Sequence, residues 1–148
     1  MFKLSGTDLV NKLKDKYPDI TELESRFDTT VEIKPEILTE LMSDLKKNYG
    51  FNYLADMTAV DNKTSFTVIY RVHSLPDNRQ LVVKVNLDRD NASLPTINSI
   101  WTASDWQERE LYDLMGINFS GRAISRILLP EEFAGHPLRK DYTGGRQA

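Results

Sequence analysis

Phe66-Thr67-Val68-Ile69-Tyr70-Arg71-Val72-His73-Ser74-Leu75-Pro76-Asp77-Asn78-Arg79-Gln80-Leu81-Val82-Val83-Lys84-Val85-Asn86-Leu87 holds two alternating runs around one turn. Phe66, Val68, Tyr70 and Val72 fall on one side of an extended chain, and Leu81, Val83, Val85 and Leu87 do the same. Successive side chains of a strand point to opposite faces, so each run predicts a strand with one face buried. Pro76-Asp77-Asn78 is turn chemistry, which makes the pair a hairpin.

Upstream, Phe51, Tyr53, Ala55 and Met57 alternate and predict a third strand. Pro35 opens a helix whose stripe is Ile37, Leu38, Leu41, Met42 and Leu45, closing near Asn48-Tyr49-Gly50. Ile20–Phe27 and Thr29–Ile33 read as short strands joined near Asp28. Before them, a capping-box-like start at Ser5 leads into Leu9, Val10, Leu13 and Tyr17 at helical spacing, ended by Pro18. The order α-β-β-α-β-β-β-α predicts an α+β fold, a mixed β-sheet with helices packed mainly on one face.

Downstream, Leu94-Pro95-Thr96 leads toward a short helix ending near Trp101, and a capped helix follows. Ser104 as N-cap and Gln107 three residues on form a capping box, Asp105 suits the positive helix end, and Gly116 stops the helix. Leu111, Leu114 and Met115 share a face with Glu108 and Tyr112 at its flanks, while Trp106, Arg109, Glu110 and Asp113 point away. Glu108 therefore faces inward and needs a partner, because a lone buried carboxylate is costly. Arg126 and Arg139 are the candidate partners, since guanidinium binds carboxylate in a two-pronged fork. Asp105 and Arg109 add an i,i+4 pair on the exposed side.

After Gly121 only Glu131-Glu132-Phe133 suggests regular structure. An irregular tail of this length is unusual within a domain and is commonly functional or ordered by a partner. The expected division is a domain over 1–120 and an extended partner-binding segment over 121–148.

Composition narrows the chemistry. The 148 residues suffice for one domain with a core. No cysteine is present, which excludes disulfides, thiol nucleophiles and cysteine-held iron–sulfur clusters. His73 and His136, the two histidines, cannot build a zinc site without carboxylate help. No catalytic, cofactor-binding or metal-binding residue is expected in this chain. The longest apolar run is three residues, far short of a membrane span, and no leader pattern is visible, so a cytoplasmic protein is expected. Residues 1–121 carry 14 basic and 19 acidic side chains, against five and three over 122–148. An acidic body with a slightly basic tail does not suit nucleic acid, which calls for a concentrated basic face.

Four readings of individual side chains complete the picture. Glu108 and Glu110 diverge by about 200° on a helix and cannot share a substrate. His136, between Gly135 and Pro137, reads as a turn that places Leu138-Arg139-Lys140, with a general base as the alternative. Asp61, Asp88 and Asp90 read as solvated turn residues, and Trp101 and Trp106 as core or interface anchors.

The run Glu108-Arg109-Glu110-x-x-Asp113-Leu114-Met115-Gly116-Ile117, then Arg126-Ile127-Leu128, then Gly135-His136-Pro137-Leu138-Arg139-Lys140-Asp141-Tyr142, resembles the C subunit of NADH:quinone oxidoreductase, the small peripheral-arm subunit of respiratory complex I. Related subunits occur in energy-converting hydrogenases and formate hydrogenlyases. The motifs lie within residues 101–142, and one position departs: Arg122 stands where the family usually has His or Lys. The resemblance implies a hetero-oligomeric complex I subunit without flavin, cluster or quinone of its own. Iron–sulfur clusters and flavin would sit in partner subunits. It also implies docking on a large hydrogenase-like subunit near the quinone site, beside an iron–sulfur subunit, at the cytoplasmic face of the membrane. Glu108, Arg109, Glu110, Asp113 and Gly116 would form the structural motif. Arg126, His136, Pro137, Leu138, Arg139, Lys140, Asp141 and Tyr142 would meet the partner. The other readings are the equivalent hydrogenase or formate hydrogenlyase subunit, a small hydrolase using Glu108 and His136, and a protein-binding module outside redox chemistry.

Overall fold

The central hairpin pairs β4 (Ser65–Ser74) with β5 (Arg79–Asp88) in antiparallel register. Phe66 faces Leu87, Val68 faces Val85, Tyr70 faces Val83 and Val72 faces Leu81, and all eight side chains are buried. The computed structural model describes residues 6–23, 29–74, 79–122 and 135–139, so the hairpin turn and residues 24–28 lie outside the described residues.

Strands add on both sides. β2 (Thr29–Ile33) runs parallel to β5, placing Val31 opposite Val83 and Ile33 opposite Val85. β1 (Thr21–Leu23) and β3 (Tyr53–Asp61) are the antiparallel edges, giving a mixed sheet in the order β1-β2-β5-β4-β3. The apolar face is covered by α1 (Gly6–Lys16), with Leu9, Val10 and Leu13, and by α2 (Leu38–Asn48), with Leu38, Leu41, Met42 and Leu45. Burying one such side chain is worth about 1.5–3 kcal/mol, so this face carries the hydrophobic stabilisation of the fold. The α+β architecture expected from the alternation is the one observed. Pro35 opens a single 3₁₀ turn, Pro35–Ile37, before α2 begins.

Two expectations fail here for identifiable reasons. The alternation in β3 predicts burial of Tyr53 and Ala55 with Met57. Instead Leu54 and Met57 point inward and Tyr53 is 45% exposed. The register shifts between Leu54 and Asp56, and such a bulge moves the inward phase by one residue. Asp61, expected in solvent, is buried and held by both terminal guanidinium nitrogens of Arg89, whose Cζ stacks 5.0 Å from the Phe66 ring centroid. Asp88 keeps a turn role, its carboxylate accepting from the Asp90 amide at 3.3 Å.

α1 and α2 are joined through Asp44, which accepts from Lys16 Nζ at 3.1 Å, from the Tyr17 hydroxyl at 3.2 Å and from Asn48. Burial pushes the Asp44 carboxyl up, but the bonds from Asn48 and Lys16 outweigh it and hold the group below its ordinary value. Burial, and then the Asp44 charge, push Tyr17 up to about 12. The signs differ. A lowered folded-state carboxyl stabilises fully above its ordinary range and loses that contribution as pH falls through the folded value. A raised phenol stabilises fully below its ordinary value and loses it as pH climbs toward about 12. Urea unfolding across pH should therefore show weaker folding at both extremes. Asp44→Asn should flatten the acid limb, and Tyr17→Phe the alkaline one.

Candidate functional site

β6 (Ser93–Pro95) and β7 (Asn118–Ser120) form a second, two-stranded parallel sheet, and α3 (Ser104–Met115) crosses between them. The short helix expected to end near Trp101 does not form. Residues 97–101 make one turn, with the Ile100 and Trp101 amides both donating to Ile97 O, and the Trp101 indole donates to Phe51 O at 3.3 Å. Parallel strands end on the same side, so the residues following β6 and β7 are brought together, and the Thr96 amide donates to Ser120 O at 2.9 Å.

Glu108 sits at that junction with no exposed surface. Its Oε1 accepts from the Thr96 hydroxyl at 2.6 Å and from Arg122 Nη1 at 3.2 Å, and its Oε2 accepts from the Ile97 amide at 2.9 Å. Helical spacing predicts the inward carboxylate correctly, but its partner is Arg122 rather than Arg139, and Arg126 lies outside the described residues. Arg122 also bonds Asp105, the carboxylate that faces Arg109 at 4.0 Å. Arg122 is thus the clamp between β7 and two turns of α3. Thr96 and Arg122 escape a sequence reading because they are 26 positions apart and meet only through the parallel strand pair.

The start of α3 corrects another expectation. The N-cap position is Ala103, without a side-chain cap, and Ser104 is the first helical residue. The preceding turn winds directly into the helix, with the Ser104 amide bonded to Trp101 O and the Asp105 amide to Thr102 O. The Ser104 hydroxyl and Gln107 Oε1 are buried without a hydrogen-bond partner among the described residues, so no capping box forms.

The end of α3 is where the motifs meet. A helix leaves its last four carbonyls without internal donors. Here the Gly116 amide donates to Tyr112 O at 3.0 Å, and the Leu138 amide donates to Leu114 O at 2.9 Å. Between and beyond them, His136 Nδ1 lies 3.0 Å from Asp113 O and Arg139 Nε donates to Met115 O at 2.9 Å. A carbonyl only accepts, so His136 carries its proton on Nδ1. Gly116 has φ +76°, the left-handed conformation glycine adopts freely, and a Cβ there would stand 2.8 Å from His136 Cδ2. Arg139 continues to Arg89 O at 3.3 Å and stacks on Phe66 with Cζ 5.0 Å from the centroid. Gly135-His136-Pro137-Leu138-Arg139 is therefore a helix cap supplied from about 20 residues downstream, with a cation at the negative end of the helix.

Of the remaining motif residues, Asp113 is fully buried although periodicity places it outward, because α3 is enclosed on that side too at its last turn. Arg109 and Glu110 are half-buried, as are His136 and Pro137, whereas Leu138 is 59% exposed. Trp101 is buried and Trp106 is 54% exposed. Lys140, Asp141 and Tyr142 lie outside the described residues. Glu108 and His136 serve different parts of α3: one is sealed at the strand junction, the other binds the carboxy-terminal turn. The hydrolase pairing has no geometric support. Among the described residues no group of three or more His, Asp or Glu could hold a metal ion, and no described helix is long and apolar enough to cross a membrane.

Residues 31–148 match the family described as the respiratory-chain NADH dehydrogenase 30 Kd subunit. The C subunit of NADH-quinone oxidoreductase from Moorella thermoacetica is 40% identical, over 90% of this chain and 92% of its own length. The C/D subunit of NADH-quinone oxidoreductase from Acinetobacter baumannii is 35% identical over 91% of this chain, which spans 25% of that longer protein. Among solved structures, the trypsin-resistant fragment of Nqo5 superposes with a TM-score of 0.70 at 29% identity, covering 80% of this chain and 98% of the fragment. An archaeal membrane-bound sulfane sulfur reductase complex contains a chain of the same fold, with a TM-score of 0.79 at 23% identity over 94% of this chain and 86% of that one. The motifs around α3, the mixed sheet behind them and these matches converge: the chain belongs to the family of the 30 Kd subunit of respiratory-chain NADH dehydrogenase.

Proposed function

We propose that the chain is a subunit without chemistry of its own in the peripheral arm of a complex I-type NADH:quinone oxidoreductase. It docks on the large hydrogenase-like subunit near the quinone site, beside an iron–sulfur subunit, at the cytoplasmic face of the membrane. Residues 121–148 supply much of that contact. The observation that carries the reading is the state of the motif carboxylate: Glu108 is fully buried, and three hydrogen bonds from its own chain hold it. A group that substrate cannot reach, bound to the fold on three sides, holds structure together.

The Acinetobacter relative supports a fixed neighbour, since its name joins C and D in one protein. Exposed Leu138 and Trp106 offer apolar contact close to the helix that the cap secures. Aromatic anchors are enriched in protein interfaces. Arg139 itself is engaged within the chain, where it binds Met115 O and Arg89 O.

Affinity purification of the tagged chain from solubilised membranes of its own cell tests the proposal. The expected result is recovery of a large hydrogenase-like subunit and a cysteine-rich iron–sulfur subunit in fixed ratio. Recovery of the chain alone, or of a monomer that turns over a substrate, overturns it.

A further inference from the structure

Besides Gln107 Oε1, three polar capacities remain open around α3, and these three add up to one ligand. The Tyr70 hydroxyl on β4 and the Ser104 hydroxyl on α3 belong to side chains with no exposed surface, and neither has a hydrogen-bond partner among the described residues. Ser104 lies one turn before Glu108, so the two side chains share a helix face. Tyr70 pairs across the sheet with Met57 of β3, the strand against which α3 packs.

A carboxylate offers about four acceptor positions, two on each oxygen. Both positions on Glu108 Oε1 are filled, by Thr96 and Arg122, whereas Oε2 takes the Ile97 amide. Oε2 therefore has room for one more donor, on the helix face that Glu108 shares with Ser104 and against the strand that pairs with Tyr70's. Burial, and then the Glu108 charge, raise Tyr70 well above the ordinary phenol value, so its hydroxyl keeps its proton and has to donate it. Leaving such a donor unmet in a core costs about 1–3 kcal/mol, and native proteins commonly meet it with an internal water that has two to four polar partners.

We propose that Glu108 Oε2, the Tyr70 hydroxyl and the Ser104 hydroxyl together hold one internal water molecule between α3 and the sheet. The water donates to Oε2 and accepts from the two hydroxyls. It extends the Glu108 junction from β6 and β7 to β4, so one carboxylate fastens α3 to both sheets. This site is a property of the chain alone and does not depend on which subunits it joins.

The sign of a conservative substitution separates the alternatives. If the water is bound, Tyr70→Phe removes a satisfied hydroxyl and should lower the folding equilibrium constant of the full chain about fivefold, the worth of one internal hydrogen bond. If the hydroxyl is unmet, the same substitution deletes a buried liability and raises the constant. The Tyr70→Phe/Ser104→Ala pair should cost less than the product of its single effects, because both bind the same molecule. A crystal structure of the full chain should show ordered density within hydrogen-bond distance of all three groups. Stabilisation by Tyr70→Phe, or density in which Tyr70 bonds Glu108 directly, would overturn the proposal.

Discussion

Glu108→Ala should destabilise the chain by about 3–5 kcal/mol, the range for removing one partner of a buried ion pair. The expected readout is a drop of about 6–20 °C in Tm, at roughly 2–4 °C per kcal/mol for a chain of this size. The substitution takes from Arg122, 14% exposed, the more deeply buried of its carboxylates, and strips the Thr96 hydroxyl and the Ile97 amide of their acceptor. Glu108→Gln keeps the volume and one acceptor oxygen but turns an amide donor toward other donors, and should lose roughly half as much. Glu110→Gln, which alters a half-buried side chain on the same helix, should stay within about 0.5 kcal/mol of the parent. Equal losses at Glu108 and Glu110 would show that the junction is not the specific feature argued for.

Gly116→Ala should be the next most damaging single change. The left-handed conformation costs a residue with a Cβ roughly 1–2 kcal/mol. The added carbon would also stand 2.8 Å from His136 Cδ2 and 3.1 Å from Cγ, so the imidazole has to move. Moving it breaks the bond to Asp113 O and pulls on the neighbouring bonds from Leu138 and Arg139. A total of about 3 kcal/mol is expected from strain plus the lost cap bond. His136→Ala opens the space, so the double variant should be less destabilised than the sum of the single ones, a coupling of about 1 kcal/mol between touching residues. Simple additivity would mean that the ring and the glycine do not meet. Hydrogen exchange gives a second check, since faster exchange at Leu138 should accompany Gly116→Ala.

Much of this architecture is legible in the sequence alone. The hairpin is readable because each strand buries one face, and a two-residue period survives in sequence when nothing interrupts it. β3 shows what interrupts it: the bulge at Ala55 reverses the phase, and Tyr53 and Leu54 exchange sides. Gly116 is readable because the left-handed helix end has a residue preference. Ser104 misleads because a capping residue works only where the chain enters extended, and here the Trp101 turn feeds the helix without a break. The inward carboxylate at 108 follows from local period alone. Its partner does not follow, because Arg122 and Thr96 reach it through a strand pairing that no local pattern announces. Arg139 shows the same limit: only the open carbonyls of α3 reveal that its guanidinium has an internal use.

The account stands on α3 and its cap being structural rather than reactive. Quinone reductase activity per assembled complex, measured in membranes carrying Glu108→Gln, tests this most directly. Activity should fall only as far as the amount of assembled complex falls, leaving turnover per complex at the parent value. A complex that assembles in full while its turnover collapses would contradict it.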